Sequence, residues 1–253
     1  PSPLGGATAT ARLVAADQAL AWLAARQKPD GGFGGGANSD WRATVLTVQA
    51  FLARGADAAT LVSEAGRTPA DYLSANAGLV GSDAYHLAQM ILAAIALGQE
   101  PTTFAGHNWP AELAATLQAD GRYAGGVADA VTTQAHALIA LRAAYQPVPP
   151  AALAWLKAAA HADGGWGPAV AGGSDAPHTG LALQALILAG EPANSPVLLN
   201  GINYLRARRT ADGGFAAEHD GVGAVQNGVG DVRDLGARRL AAVDHRLEHL
   251  SRR

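Results

Sequence analysis

Two kinds of helical segment alternate along this chain. The first kind is amphipathic and ends in an Asp-Gly-Gly-aromatic turn, as in ALAWLAARQKPDGGF (19–33), AALAWLKAAAHADGGW (151–166) and GINYLRARRTADGGF (201–215). The second is apolar almost all round: VLTVQAFLA, LAQMILAAIAL, TTQAHALIAL and TGLALQALILA. A helix apolar on every side is a buried one, whereas an amphipathic helix covers it from outside. The pattern predicts outer helices at Thr8–Gln27, Thr68–Ala75, Pro110–Ala119, Ala151–His161 and Ser195–Arg209. It predicts inner helices at Asp40–Arg54, Asp83–Leu97, Asp129–Ala144 and Asp175–Ala189. A fifth inner helix is due after Gly223, for ten in all.

The spacing is regular enough to define a repeat. In three copies an aromatic (Trp22, Trp155, Tyr204) stands eight residues before an Asp (Asp30, Asp163, Asp212), and another (Phe33, Trp166, Phe215) three residues after it. The turns are Asp30-Gly31-Gly32-Phe33, Asp163-Gly164-Gly165-Trp166 and Asp212-Gly213-Gly214-Phe215. A weaker copy is Asp120-Gly121-Arg122-Tyr123. The inner helices open on Asp40, Asp83, Asp129 and Asp175, which are 43, 46 and 46 residues apart. Gly55, Gly98 and Gly190 follow their Asp by fifteen residues, where a helix needs a left-handed cap; the third copy has Ala144 instead. The paired glycines permit positive φ, so the chain can double back. Alternating inner and outer helices of this kind make an α/α toroid or its open form, an α-solenoid.

These residues resemble a family. Gln27-Lys28-Pro29-Asp30-Gly31-Gly32-Phe33-Gly34 and its DGGWG counterpart are similar to the QW repeat of squalene–hopene and related terpenoid cyclases. Ser174-Asp175, with Thr179, Gln184 and Gly190, is similar to the inner helix of those cyclases and of protein prenyltransferase β subunits. The resemblance covers roughly residues 16–225. It implies an all-α toroid of about five helix pairs over residues 9–225, possibly incomplete, and an exported or cell-surface bacterial protein. The repeats are scaffold in those families, so it implies the fold more than the activity.

Chemistry is sparse. Asp40, Asp83, Asp129 and Asp175 would meet at one mouth of a toroid, with His86 and His178 each three residues after their Asp. Such a group could bind a cation or transfer protons, making these six the catalytic candidates. The alternative is that each Asp caps its own helix. Trp41, Tyr85, His136, Gln49 and Gln184 are the candidate ligand-binding residues; the alternative for the His and Gln side chains is packing with a hydrogen bond. The turn aromatics are packing residues on the outer side. The Asp-x-Asp-Asp acid of the class II cyclases is missing. With no cysteine, the zinc site of the prenyltransferases is missing too. Lys28 and Lys157 are the only lysines in residues 1–230, and Arg42 and Arg142 lie at opposite ends of inner helices.

The sequence therefore reads as a non-catalytic ligand-binding or interaction module with no cofactor and no metal. Its ligand would be a small apolar or isoprenoid molecule, a peptide or a glycan. A degenerate terpenoid cyclase or prenyltransferase, and more weakly a toroid polysaccharide lyase or hydrolase using His86 or His178, are the enzyme alternatives. Net charge is −3 with no basic patch before the last stretch, which argues against nucleic acid. The longest apolar run, Leu87–Leu97, is too short for a membrane span.

Both ends depart from the repeat. Residues 1–8 read as a linker or a trimmed edge. Of the 23 residues from Asp231 to Arg253, ten are charged, against 29 of the 230 before them. Residues 226–253 thus form an atypical tail where an apolar helix is due. Back-translated with GC-rich codons and read one base later, Gln226–Leu240 encodes RTASATSATWALVA, so a frameshift is one explanation. As written, Leu235, Leu240, Val243, Leu247 and Leu250 would line one side of an amphipathic helix. Such a helix should cross the open edge of the toroid, self-associate with a second chain, or stay unfolded.

Overall fold

The computed structural model describes residues 9–211 and 213–215. The readings made for 1–8, for Asp212 and for the tail from 226 lie outside the described residues. Among those described the protein is all-α, with nine helices and only isolated β-bridges. The outer helices are α1 (Ala9–Ala24), α3 (Pro69–Ala75), α5 (Trp109–Ala114), α7 (Pro150–Ala158) and α9 (Pro196–Ala207). The inner helices are α2 (Trp41–Ala53), α4 (Ala84–Ala96), α6 (Ala130–Ala143) and α8 (Ala176–Leu188). α2, α4, α6 and α8 pack side by side in that order, and α3, α5, α7 and α9 each lie against the inner helix before them in sequence. The core is where the two layers meet: Val48, Leu73, Met90, Ile91, Leu113, Leu138, Leu156 and Leu183 are buried.

Both ends of each inner helix are capped by the residues the repeat marks. Asp40, Asp83, Asp129 and Asp175 are N-caps, accepting from the backbone N–H of Ala43, of Tyr85 and His86, of Thr132 and of His178. At the other end all four close in a Schellman motif, in which the second residue past the cap donates back to the last turn. Ala56 bonds to Phe51 O, Gln99 to Ala94 O, Gln146 to Leu141 O and Glu191 to Leu186 O. Gly55, Gly98 and Gly190 take the left-handed position, and Tyr145 takes it in α6 at φ 53°. That helix is one residue longer than the others, which explains why fifteen residues past its Asp lies Ala144 and not the turning residue.

The outer helices stop short of the sequence expectation. α1 ends at Ala24 instead of Gln27, α5 at Ala114 instead of Ala119, and α7 at Ala158 instead of His161. The reason is common to them: the residues beyond are taken up by a hairpin. Lys28 N–H bonds to Gly32 O while Gly31 N–H bonds to Lys28 O, and the same pair recurs at 118/122, 161/165 and 210/214. This is a three-residue hairpin loop that ends on a left-handed glycine. The Asp carboxylate stiffens it. Asp30 Oδ1 accepts from Gly32 N–H and Ser39 Oγ, and Asp163 Oδ1 from Gly165 N–H and Ser174 Oγ. Phe33, Tyr123 and Trp166 are buried, and Trp166 Nε1 donates to Leu156 O of the helix just left.

The turn glycines also touch the next outer helix. A Cβ on Gly31 would stand 2.2 Å from Thr68 O, on Gly121 2.4 Å from Ala151 O, and on Gly164 2.9 Å from Asn200 Cβ. The second repeat lacks its own Asp-Gly-Gly turn and uses the following one. Ala84 N–H bonds to Ala124 O, and Asp83 Oδ2 accepts from Gly126 and Val127 N–H.

Candidate functional site

The N-terminal ends of the inner helices lie together, and the candidate residues sort into two groups there. In the first, His178 of α8 joins two carboxylates. Its Nδ1 lies 2.6 Å from Asp175 Oδ2, and its Nε2 3.2 Å from Asp129 Oδ2 of α6. Its pKa is raised above the ordinary imidazole value. The Asp175 hydrogen bond is the largest cause; burial opposes it and Asp129 adds to it. For Asp129, burial pushes the pKa up, but hydrogen bonds from Thr132 and contact with His178 bring it below the usual carboxylate value. Asp83 is likewise lowered, burial being outweighed by four backbone N–H groups.

The second group is aromatic. His86 stands edge-on to Trp41 at 4.8 Å between ring centres, and Tyr85 edge-on to His136 at 5.1 Å. Tyr85 and His86 are neighbours on α4, so the rings run from α2 through α4 to α6. His86 Nε2 accepts from Arg42 Nε at 3.4 Å, and His136 Nδ1 donates to Thr132 O. His86 and His178 hold the same repeat position but have unlike surroundings. His178 is a carboxylate clamp, whereas His86 is buried among rings beside an arginine. The four Asp do not form one cluster, and among the described residues no group of three or more His, Asp or Glu could hold a metal ion.

Below the rings, Gln49 Nε2 donates to Gln89 Oε1 at 2.5 Å, joining α2 to α4. Helical spacing puts Arg42 and Leu46 on the face of Gln49, and Tyr85 and Leu92 on the face of Gln89. On α6 the same spacing groups Thr132, His136 and Ile139, and on α8 His178, Leu181 and Gln184. Trp41, Tyr85 and His136 therefore lie among the rings and Gln49 in the amide pair, while Gln184 lies on α8. Gln49 pairs with an amide and not with a neighbouring carbonyl alone; Gln184 is half-buried beyond that pair. Leu46 is 58% exposed on this layer.

Sequence reasoning gave Gln134 no role. It is fully buried; its Oε1 accepts from Tyr123 N–H and its Nε2 donates to Gly121 O and Ala152 O. In the neighbouring turns a threonine hydroxyl does the first of these jobs, Thr44 for Phe33 and Thr179 for Trp166. Thr133 holds the corresponding place in α6, and the signal that could have found the swap is the amide directly after it.

Two open clefts of about 480 Å³ each lie away from this layer. One is lined by Asp30, Ser39, Arg67, Asp71 and Tyr72, the other by Ser82, His107, Trp109, Glu112 and Thr116. No helix among the described residues is long and apolar enough to cross a membrane. No family model matches the chain, and no curated protein matches it.

Proposed function

We propose that this protein is a non-catalytic binding module, its helix pairs arranged as an α/α toroid of the terpenoid-cyclase and prenyltransferase kind. The ligand lies along the inner-helix layer, against Leu46 and Leu92 below the rings of Tyr85 and His136. One observation carries this reading: each candidate acid or base at the mouth already has a partner, while leucines on the same layer stay solvent-accessible. Asp40, Asp83, Asp129 and Asp175 accept from helix N–H groups, His178 holds two carboxylates, and His86 accepts from Arg42. A cyclase needs a buried acid with its proton available, and a lyase or hydrolase needs an imidazole with a nitrogen facing substrate. Carboxylates that accept from backbone N–H groups and an imidazole held between two carboxylates speak against both. Leu46, Leu92 and the ring of Tyr85, with amides beside them, suit a small apolar molecule of the isoprenoid type.

The test is calorimetric titration with farnesol, an apolar peptide and a neutral oligosaccharide. Farnesol binding that Leu46→Asp and Leu92→Asp each weaken at least tenfold supports the proposal. Binding indifferent to both substitutions refutes the placement. Conversion of squalene or a prenyl diphosphate to a new product refutes the non-catalytic reading.

A further inference from the structure

The hairpins at Asp30 and Asp163 meet the next outer helix in the same way. A Cβ on Gly32 would stand 2.7 Å from Ser39 Cβ and 2.8 Å from Tyr72 Cδ2. On Gly165 it would stand 2.6 Å from Ser174 Cβ and 2.9 Å from Tyr204 Cδ2. Asp30 accepts from Ser39 Oγ as Asp163 does from Ser174 Oγ. The pairs Asp30/Asp163, Ser39/Ser174 and Tyr72/Tyr204 are therefore equivalent.

The likeness ends one helical turn past the tyrosine, at the C-caps of α3 and α9. On α9 that residue is Arg208, whose guanidinium carbon lies 3.9 Å from the centre of the Tyr204 ring. Burial pushes the Asp163 pKa up, but hydrogen bonds from Ser174 and Gly165, then the charge of Arg208, hold it below the usual carboxylate value. Asp120 of the third hairpin also has an arginine, with Arg122 Nε 4.0 Å from its Oδ2. On α3 the C-cap is Asn76, and its Nδ2 donates back to Tyr72 O of its own helix. Asp30 Oδ1 holds Gly32 N–H and Ser39, and among the described residues no Lys or Arg pairs with this carboxylate. Where the arginine is missing there is an open cleft of about 480 Å³, lined by Asp30, Ser39, Tyr72 and Asn76.

We infer that this cleft binds the arginine side chain of a peptide, its guanidinium taking over Tyr72 and beside Asp30 the place Arg208 takes over Tyr204 and beside Asp163. A planar guanidinium can stack on a ring and donate to a carboxylate at once, which an ammonium does less well. The cleft falls within the usual size of a ligand site, about 300–1,000 Å³. Asp30 and Asp71 line it against the single guanidinium of Arg67, so its balance is negative and favours a cation. The cleft is separate from the inner-helix layer, and its ligand does not depend on an apolar molecule there.

The test is calorimetric titration of the full chain with acetyl-Gly-Arg-Gly-amide and with the same peptide carrying citrulline, the neutral isostere of arginine. The arginine peptide should bind, and the citrulline peptide at least fivefold more weakly. Asp30→Asn, which keeps an oxygen for Gly32 and Ser39, should weaken binding at least fivefold. Asn76→Arg should abolish it while leaving cooperative thermal unfolding intact, because the chain then supplies the arginine itself. Arg67→Ala should tighten binding by removing a like charge. No binding of the arginine peptide, equal binding of citrulline, or an affinity unchanged by Asp30→Asn or Asn76→Arg would overturn the inference. So would weaker binding to the Arg67→Ala variant, which would mark the cleft as a site for anions.

Discussion

His178 on α8 places its Nε2 3.2 Å from Oδ2 of Asp129, the residue that caps α6. One imidazole therefore ties together the N-terminal ends of two inner helices, since its Nδ1 meets Asp175, the cap of its own helix. Folding raises the His178 pKa, so the stability it contributes is complete below the unfolded imidazole value of about 6.5 and is lost as pH rises through the folded value. Folding lowers the Asp129 pKa, so that contribution is present above the unfolded carboxylate value of about 4 and is lost as pH falls through the depressed one. The clamp is strongest between those limits. His178→Gln should lower the melting temperature clearly at pH 5.5 and much less at pH 8.5. An equal loss at both values would show that charge plays no part.

Tyr123 carries a buried hydroxyl that finds no hydrogen-bond partner among the described residues, and burial pushes its pKa up to about 12. Phe33 fills the same repeat position without a hydroxyl. Tyr123→Phe should stabilise the fold by about 1 kcal/mol, the order of the desolvation cost removed. A destabilised variant in urea unfolding would mean the hydroxyl is bonded after all.

The turn glycines predict a graded series. Gly31, Gly121, Gly164 and Gly213 have φ between 86° and 89°. Strain alone should make Gly213→Ala cost about 1–2 kcal/mol, because among the described residues nothing lies within 4 Å of its added Cβ. Gly31→Ala adds a collision with Thr68 O and should cost roughly 3 kcal/mol or more. Thermal unfolding of the two variants ranks them, and equal losses would dismiss the contact with α3.

Gln134 supports the weaker turn. Gln134→Leu leaves Tyr123 N–H, Gly121 O and Ala152 O short of a buried partner, for a loss of roughly 3 kcal/mol or more. Gln184→Leu, on a half-buried position of α8, should lie within about 0.5 kcal/mol of the parent protein. A denaturant series on both decides whether amides in these helices differ as their burial does.

The all-α fold was legible because its signals are local. Asp at an N-cap, Gly past a C-cap and the Asp-Gly-Gly hairpin each act within a few residues, so spacing alone located them. The helix ends were less legible, since the turn claims residues such as Gln118 and Gln27 that have good helical propensity. The candidate site was less legible. Trp41, Tyr85 and Gln49 stood out by their place in the repeat and His136 as a lone histidine in an Ala-rich helix, but neither signal says what each side chain meets. The unlike fates of His86 and His178 depend on what the adjacent helix presents, Arg42 and Trp41 in one case and Asp129 in the other. That neighbour is more than forty residues away in sequence, beyond the reach of any local pattern.

The glycine that turns each hairpin rests on the outer helix of the following pair, Gly31 on Thr68, Gly121 on Ala151 and Gly164 on Asn200. This sets where the gene tolerates a breakpoint. A deletion that removes one period from within one hairpin to the same point of the next leaves every surviving glycine facing the helix it was shaped against. A breakpoint between a hairpin and the outer helix it touches matches a glycine to a foreign surface: Gly121 would meet Asn200 where it had met the Ala151 carbonyl. A change of copy number by recombination inside the Asp-Gly codons therefore keeps this contact intact.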